Sequence, residues 1–231
     1  AIESEPALMQ IVIVHFASLI FYLAYVTDLQ MLKIPRKITF TGMGSKYIRM
    51  ISANEGTVAK IIRQIFAYYG CLAGNEAMQQ ASPSVQFAEN PKEVTARGGL
   101  VMNGHAHPIV PETDIFYGYD GEEPGKTLRY TDLDTKQQNV MDLFQQFLDL
   151  FKQKDLNDVL NDLDYYVGDP FCQILQRYGT NSYSQQVRDG RDAAGDGLSP
   201  RLKEPIFFWP LKNSLYVAGK KIVESMVKKT D

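Results

Sequence analysis

Histidine and cysteine are both scarce in this chain of 231, with three of the first and two of the second. Cys71 and Cys172 lie far apart in sequence and form neither a metal-binding spacing nor a disulfide framework, so both are expected to be reduced and buried. So few histidines also leave no Ser/His/Asp set to select, which argues against that hydrolytic chemistry. Charge of either sign is in little excess: the formal net charge is −3, which speaks against nucleic acid as a main partner. The chain opens Ala1-Ile-Glu-Ser-Glu-Pro6 without a methionine or a basic n-region before an apolar stretch. It therefore shows no signal peptide, fits a segment cut from a longer protein, and is expected in the cytoplasm. Internal repeats, heptads and low-complexity tracts are also missing.

What is present describes a folded chain. Apolar residues make up 45% and aromatics 11%, and the length suits one large domain or two small ones. The stretch that organises the rest begins at Lys37. Ile38, Thr39, Phe40 and Thr41 are β-branched or aromatic and predict a strand. Gly42 and Gly44 then supply a tight turn, and Tyr47 to Ile51 predicts a short helix leaving it. A strand, a glycine turn and a helix place backbone N–H groups at a sheet's C-terminal edge, where anions and nucleotides tend to sit. A second short strand follows at residues 84–88. After it, Asn90, Pro91 and Glu93 form a helix opening of N-cap, N1 and capping-box residues, and Gly98 and Gly99 follow two turns later.

This pair of elements resembles the closing part of the ATPase superfamily of actin, the heat-shock chaperones and the sugar kinases. The matching stretches are residues 38–45, for the adenosine motif, and 90–100, with Asn90, Pro91, Glu93, Val94, Ala96 and Gly98 in place. The resemblance covers about residues 5–102. It departs from the pattern at Met43, which replaces the second glycine, and at Lys92, where the chaperones carry an acidic residue. It implies an α/β fold: a partial ribonuclease H-like, actin-like lobe over residues 1–102, followed by a mainly α-helical region over 103–231. It also implies adenosine contacts from Gly42, Met43, Gly44, Ser45 and Lys46, with Lys92 as a further candidate, and ATP or ADP with Mg as the ligand. The phosphate-binding motifs of the superfamily have no counterpart before Ile38, so the chain is not expected to catalyse alone. The remaining lobe of the same protein, or a partner protein, would complete the cleft. The alternative is a non-catalytic structural or protein-interaction module that keeps the fold without nucleotide.

The other segments are read more plainly. Leu8 to Val26 is the most apolar run, but Gln10, His15 and Ser18 interrupt it and no basic cluster flanks it. A buried core helix is expected, with no membrane span and with His15 a satisfied core histidine. Val58, Ile61, Ile62, Ile65, Phe66 and Tyr69 recur at helical spacing, with Gly70 as the stop and Lys60 and Arg63 on the solvent side. Residues 103–134 read as loops. Within them His105 and His107 lack further metal ligands, residues 125–127 lack the earlier glycine of a phosphate loop, and Glu122 with Glu123 suits a solvated turn. Two helices follow: Val140, Leu143, Phe144, Phe147, Leu148 and Phe151 stripe the first, and Leu156, Val159, Leu160 and Leu163 the second, with a break at 155–157. Residues 182–199 read as a polar, glycine-containing surface loop without a calcium pattern. Residues 206–211 form an aromatic anchor that docks the C-terminal helix, or a partner-binding patch if exposed.

Overall fold

The computed structural model describes residues 5–88, 133–194 and 205–227. Helix α1 (Glu5–Leu29) leads into strand β1 (Lys37–Phe40), a 3-10 turn (Met43–Tyr47) and the single helical turn α2 (Ile48–Ile51). Helix α3 (Glu55–Ala73) and the short α4 (Glu76–Gln79) then carry the chain to β2 (Ser84–Phe87). Further along the chain come α5 (Leu133–Asp149), α6 (Lys154–Asn161), α7 (Asp169–Ala194) and α8 (Trp209–Val227).

Each helix boundary has a local cause. Asn54 caps α3, its side-chain oxygen accepting the Thr57 N–H at 3.1 Å, and Asn75 does the same for Met78 at the start of α4. Val58, Ile61, Ile62, Ile65, Phe66 and Tyr69 are all buried along one face of α3, as their spacing predicts, and Lys60 and Arg63 are exposed. The helix does not stop at Gly70, however. It runs on to Ala73 and ends where Gly74 turns left-handed at φ 66°. Gly70 serves packing instead: it lets α3 lie directly against the backbone of α4.

The expectation of an α/β, ribonuclease H-like lobe is overturned. The chain is mostly helical, and among the described residues the sheet has two strands, β1 and β2, paired in parallel with Lys37 opposite Ser84 and Phe40 opposite Phe87. Only 37–40 and 84–87 have the β-branched and aromatic alternation that makes a strand; most of the remaining residues from 5 to 88 lie in helices joined by short connections. A parallel sheet of a ligand-binding lobe needs more strands, with helices on both faces. The predicted helix after the glycine turn is present but later, since a 3-10 turn takes residues 43–47 and α2 begins at Ile48.

The core gathers around the middle of α1. Phe21 is fully buried, and its ring meets Tyr69 of α3 at 5.5 Å, Phe147 of α5 at 5.5 Å and Phe207 at 5.8 Å. Ile13, Val14, Phe16, Ala17, Ile20 and Ala24 complete the buried side of α1 and join residues from both ends of the chain in one cluster. The apolar window of α1, residues 8–29, is long enough to cross a membrane, with a mean hydropathy of 1.9, and 56% of it is buried inside the chain. Leu8, Leu19 and Leu23 remain on its outer side.

The helical second half follows its pattern closely. Val140, Phe144, Phe147 and Leu148 of α5 are buried, as are Leu156 and Leu160 of α6, and the break falls at Gln153, just before the expected place. Two readings change. Residues 182–194 are not a surface loop but the second half of α7, because Ser182, Tyr183 and Val187 bury one face while the polar residues share the other. Tyr183 there donates a hydrogen bond to the Leu133 carbonyl at 2.8 Å. The aromatic anchor is buried rather than exposed: Ile206, Phe207, Trp209 and Leu211 all lie in the interior, so it holds α8 to the body and offers no patch.

Candidate functional site

The C-terminal ends of β1 and β2 meet where the glycine turn was expected. Gly42 leaves β1 with φ 75°, a conformation that side chains resist, and opens the 3-10 turn. Ser45 closes the turn on itself, donating to the Gly42 carbonyl from its hydroxyl at 2.7 Å and from its N–H at 3.2 Å. Both of its donors are thus engaged, and a ligand that used them would have to break these bonds. Met43 and Gly44 lie inside the turn, and Lys46 is exposed just after. The turn therefore brings Gly42, Met43, Gly44, Ser45 and Lys46 together as one unit, while Lys92 lies outside the described residues. So do His105, His107, the acidic pair at 122–123, residues 125–127 and the proposed helix opening at Asn90. Among the described residues no three metal-ligating side chains cluster.

His15 is not the core histidine that the sequence suggests. It is on the exposed side of α1, its ring tilted against that of Tyr47 with centroids 5.4 Å apart. Partial burial under that ring disfavours its charged form and lowers its pKa. Cys172 is buried and its thiol is pushed up to about 11, first by burial and then by Asp169, whereas Cys71 is exposed. Both are free thiols. At the far end of α1, Asp28 accepts hydrogen bonds from the Asn75 amide at 2.6 Å and the Tyr69 hydroxyl at 3.4 Å. Burial, then the Asp28 charge, raises the Tyr69 pKa. This network ties α1 to the α3–α4 corner and reads as structural.

The two edges of the small sheet differ sharply. Ser84 donates to the Arg36 carbonyl and Ala88 to the Phe40 carbonyl, both at 3.0 Å. In a parallel ladder this parity turns the backbone groups of Ile38 and Phe40 toward β2 and those of Lys37 and Thr39 away from it. On the far side of β2, Phe87 points its N–H outward, and Glu55 of α3 accepts it at 2.7 Å. A half-buried amide without an acceptor costs about 1–3 kcal/mol, and Glu55 removes that deficit. Arg49 covers the Phe87 ring at 4.9 Å. The β2 edge is thereby capped. Lys37, Thr39 and Thr41 are exposed on the solvent face of β1, and no described residue reaches the outward backbone groups of Lys37 or Thr39.

Sequence reasoning missed this asymmetry. Glu55 looks like an ordinary first-turn acid of α3, and only the folded register shows which amide it meets. One signal was readable: between Asp28 and Glu55 the chain carries five basic residues and no acidic one. In the comparisons with known proteins, no family model, no curated protein and no solved structure matches this chain.

Proposed function

We propose that the chain is a non-catalytic interaction module that accepts an extra β-strand along the outer edge of β1, supplied by a partner protein or by another part of the same protein. The observation that carries this reading is the exposed outer edge, with the N–H and C=O of Thr39 directed away from β2. Unpaired edge groups are a template for an incoming strand, and isolated two-stranded sheets gain most from a third. The sheet also has the right faces for it: Ile38 and Phe40 are half-buried on the packed side, whereas Lys37 and Thr39 point to solvent. Amide hydrogen exchange on the isolated chain tests the reading. The Thr39 amide should exchange at nearly the rate of an unstructured peptide, while those of Ile38, Phe40 and Gln86 should be protected. Equal protection at Thr39 and Ile38 would mean that the edge is already covered, and the reading would fail.

A second reading is binding of ATP or ADP with Mg at residues 42–46, supported by the position of the Gly42 turn at the C-terminal end of two parallel strands and by the exposed Lys46. It is the narrower of the two, because both donors of Ser45 are engaged within the turn. Calorimetric titration with ATP and Mg, beside a Gly44→Asp variant, separates them. Heat in the parent chain that is lost in the variant supports nucleotide at the turn; no heat at millimolar nucleotide removes it.

A further inference from the structure

We infer that the strand taken up by the β1 edge is acidic: an extended segment of another polypeptide, with glutamate or aspartate at alternate positions and aliphatic residues between them. This rests on the edge reading proposed above and adds the chemistry of the partner.

The charge around the edge is of one sign. Lys33, Arg36, Lys37, Lys46 and Arg49 are all exposed, in a chain whose net charge is −3. None of the five holds an ion pair among the described residues. The two carboxylates that bound this stretch are already engaged, Asp28 with Asn75 and Tyr69, and Glu55 with the Phe87 amide. Their positions also fit a strand. Arg36 and Lys37 open β1 and Lys46 sits in the turn that follows it, whereas Arg49 lies over Phe87 on the β2 side. Positive charge therefore brackets the edge at both ends.

The pleat then fixes the pattern of the guest. On the packed side its side chains fall beside Ile38 and Phe40, so they must be apolar. On the solvent side they fall beside Lys37 and Thr39, where carboxylates gain and ammonium groups lose. A second copy of this chain suits the edge poorly. Parallel pairing sets Lys37 against Lys37, and antiparallel pairing brings Arg36 and Lys37 toward Lys46 of the other copy.

The test uses the full chain and three short fluorescent peptides in which isoleucine alternates with glutamate, threonine or lysine, read by anisotropy. The glutamate peptide should bind at least about tenfold more tightly than the threonine peptide at low salt, and the gap should narrow at high salt. Combining Lys37→Glu with Lys46→Glu should reverse the preference toward the lysine peptide. Thr39→Pro, which removes the outward N–H at a position where an edge strand tolerates proline, should abolish binding while circular dichroism stays unchanged. If threonine and glutamate peptides bind equally and both need Thr39, the edge reading stands and the acidic preference is overturned. If the glutamate peptide binds the Thr39→Pro chain undiminished, the basic patch holds polyanions without strand addition, and both readings fall. A concentration-dependent dimer that excludes every peptide would identify a second copy as the occupant and overturn the proposal. So would the absence of binding by any peptide.

Discussion

Phe21→Ala should lower the unfolding free energy by about 3–5 kcal/mol, the usual range for emptying a buried phenylalanine site. The size follows from where the ring lies. Phe21 is wholly buried, and its neighbours come from three separate parts of the chain: Tyr69 on α3, Phe147 on α5 and Phe207 before α8. These neighbours also hold one another, since Phe147 meets Phe207 at 5.9 Å and Tyr22 stacks on Phe207 at 5.4 Å. A cavity at the junction cannot close by moving one side chain, so relaxation recovers little of the loss. Urea denaturation followed by circular dichroism measures it. A loss below about 1.5 kcal/mol would mean that the site collapses freely, as volume-conserving swaps do, and that Phe21 is not the hub of the core.

Gly70→Ala should also destabilise, by about 1–2 kcal/mol, although the same change in an exposed helix interior stabilises by close to 1 kcal/mol. The sign reverses because of the neighbouring backbone. A Cβ on Gly70 would come within 2.6 Å of the Gln79 nitrogen and 2.9 Å of the Asn75 carbonyl oxygen. Neither atom is the end of a flexible side chain. Asn75 is the N-cap of α4 and is held by the Asp28 network, so α4 would have to move as a unit. Gly56→Ala is the control: it sits at the start of the same helix, where the nearest atom to its Cβ is the Asn54 side-chain oxygen at 3.1 Å. A melting temperature that rises for Gly70→Ala would show that the α3–α4 corner is looser than described.

Much of the secondary structure was legible because hydrophobic spacing reports it directly. The α3 stripe from Val58 to Tyr69 and the stripes of α5 and α6 are amphipathic patterns that one face of a core satisfies. The failures have identifiable sources. Gly70 looked like a stop because a glycine late in a helix usually is one, and nothing in one sequence reveals that α4 folds back against it. Residues 182–194 looked like a loop because the buried positions, Ser182, Tyr183 and Val187, are few and widely spaced among polar residues. The larger misreading was of architecture. A strand, a glycine turn and a later strand were all present, with β1 and β2 in parallel, but two strands of four residues do not make a lobe. Local pattern establishes a strand; only the pairing tells how many neighbours it has. The Gly42 turn was found for the same local reason, while the contrast between the two edges depends on contacts from Glu55 that lie 32 residues away.

That contrast also sets the side on which any assembly grows. A sheet with two open edges can propagate, because each added strand presents a fresh edge to the next chain. Here Glu55 and α3 terminate the β2 side, so each chain has a single growing end. Strand addition through this sheet is therefore one-sided: a guest can join along β1 and not along β2.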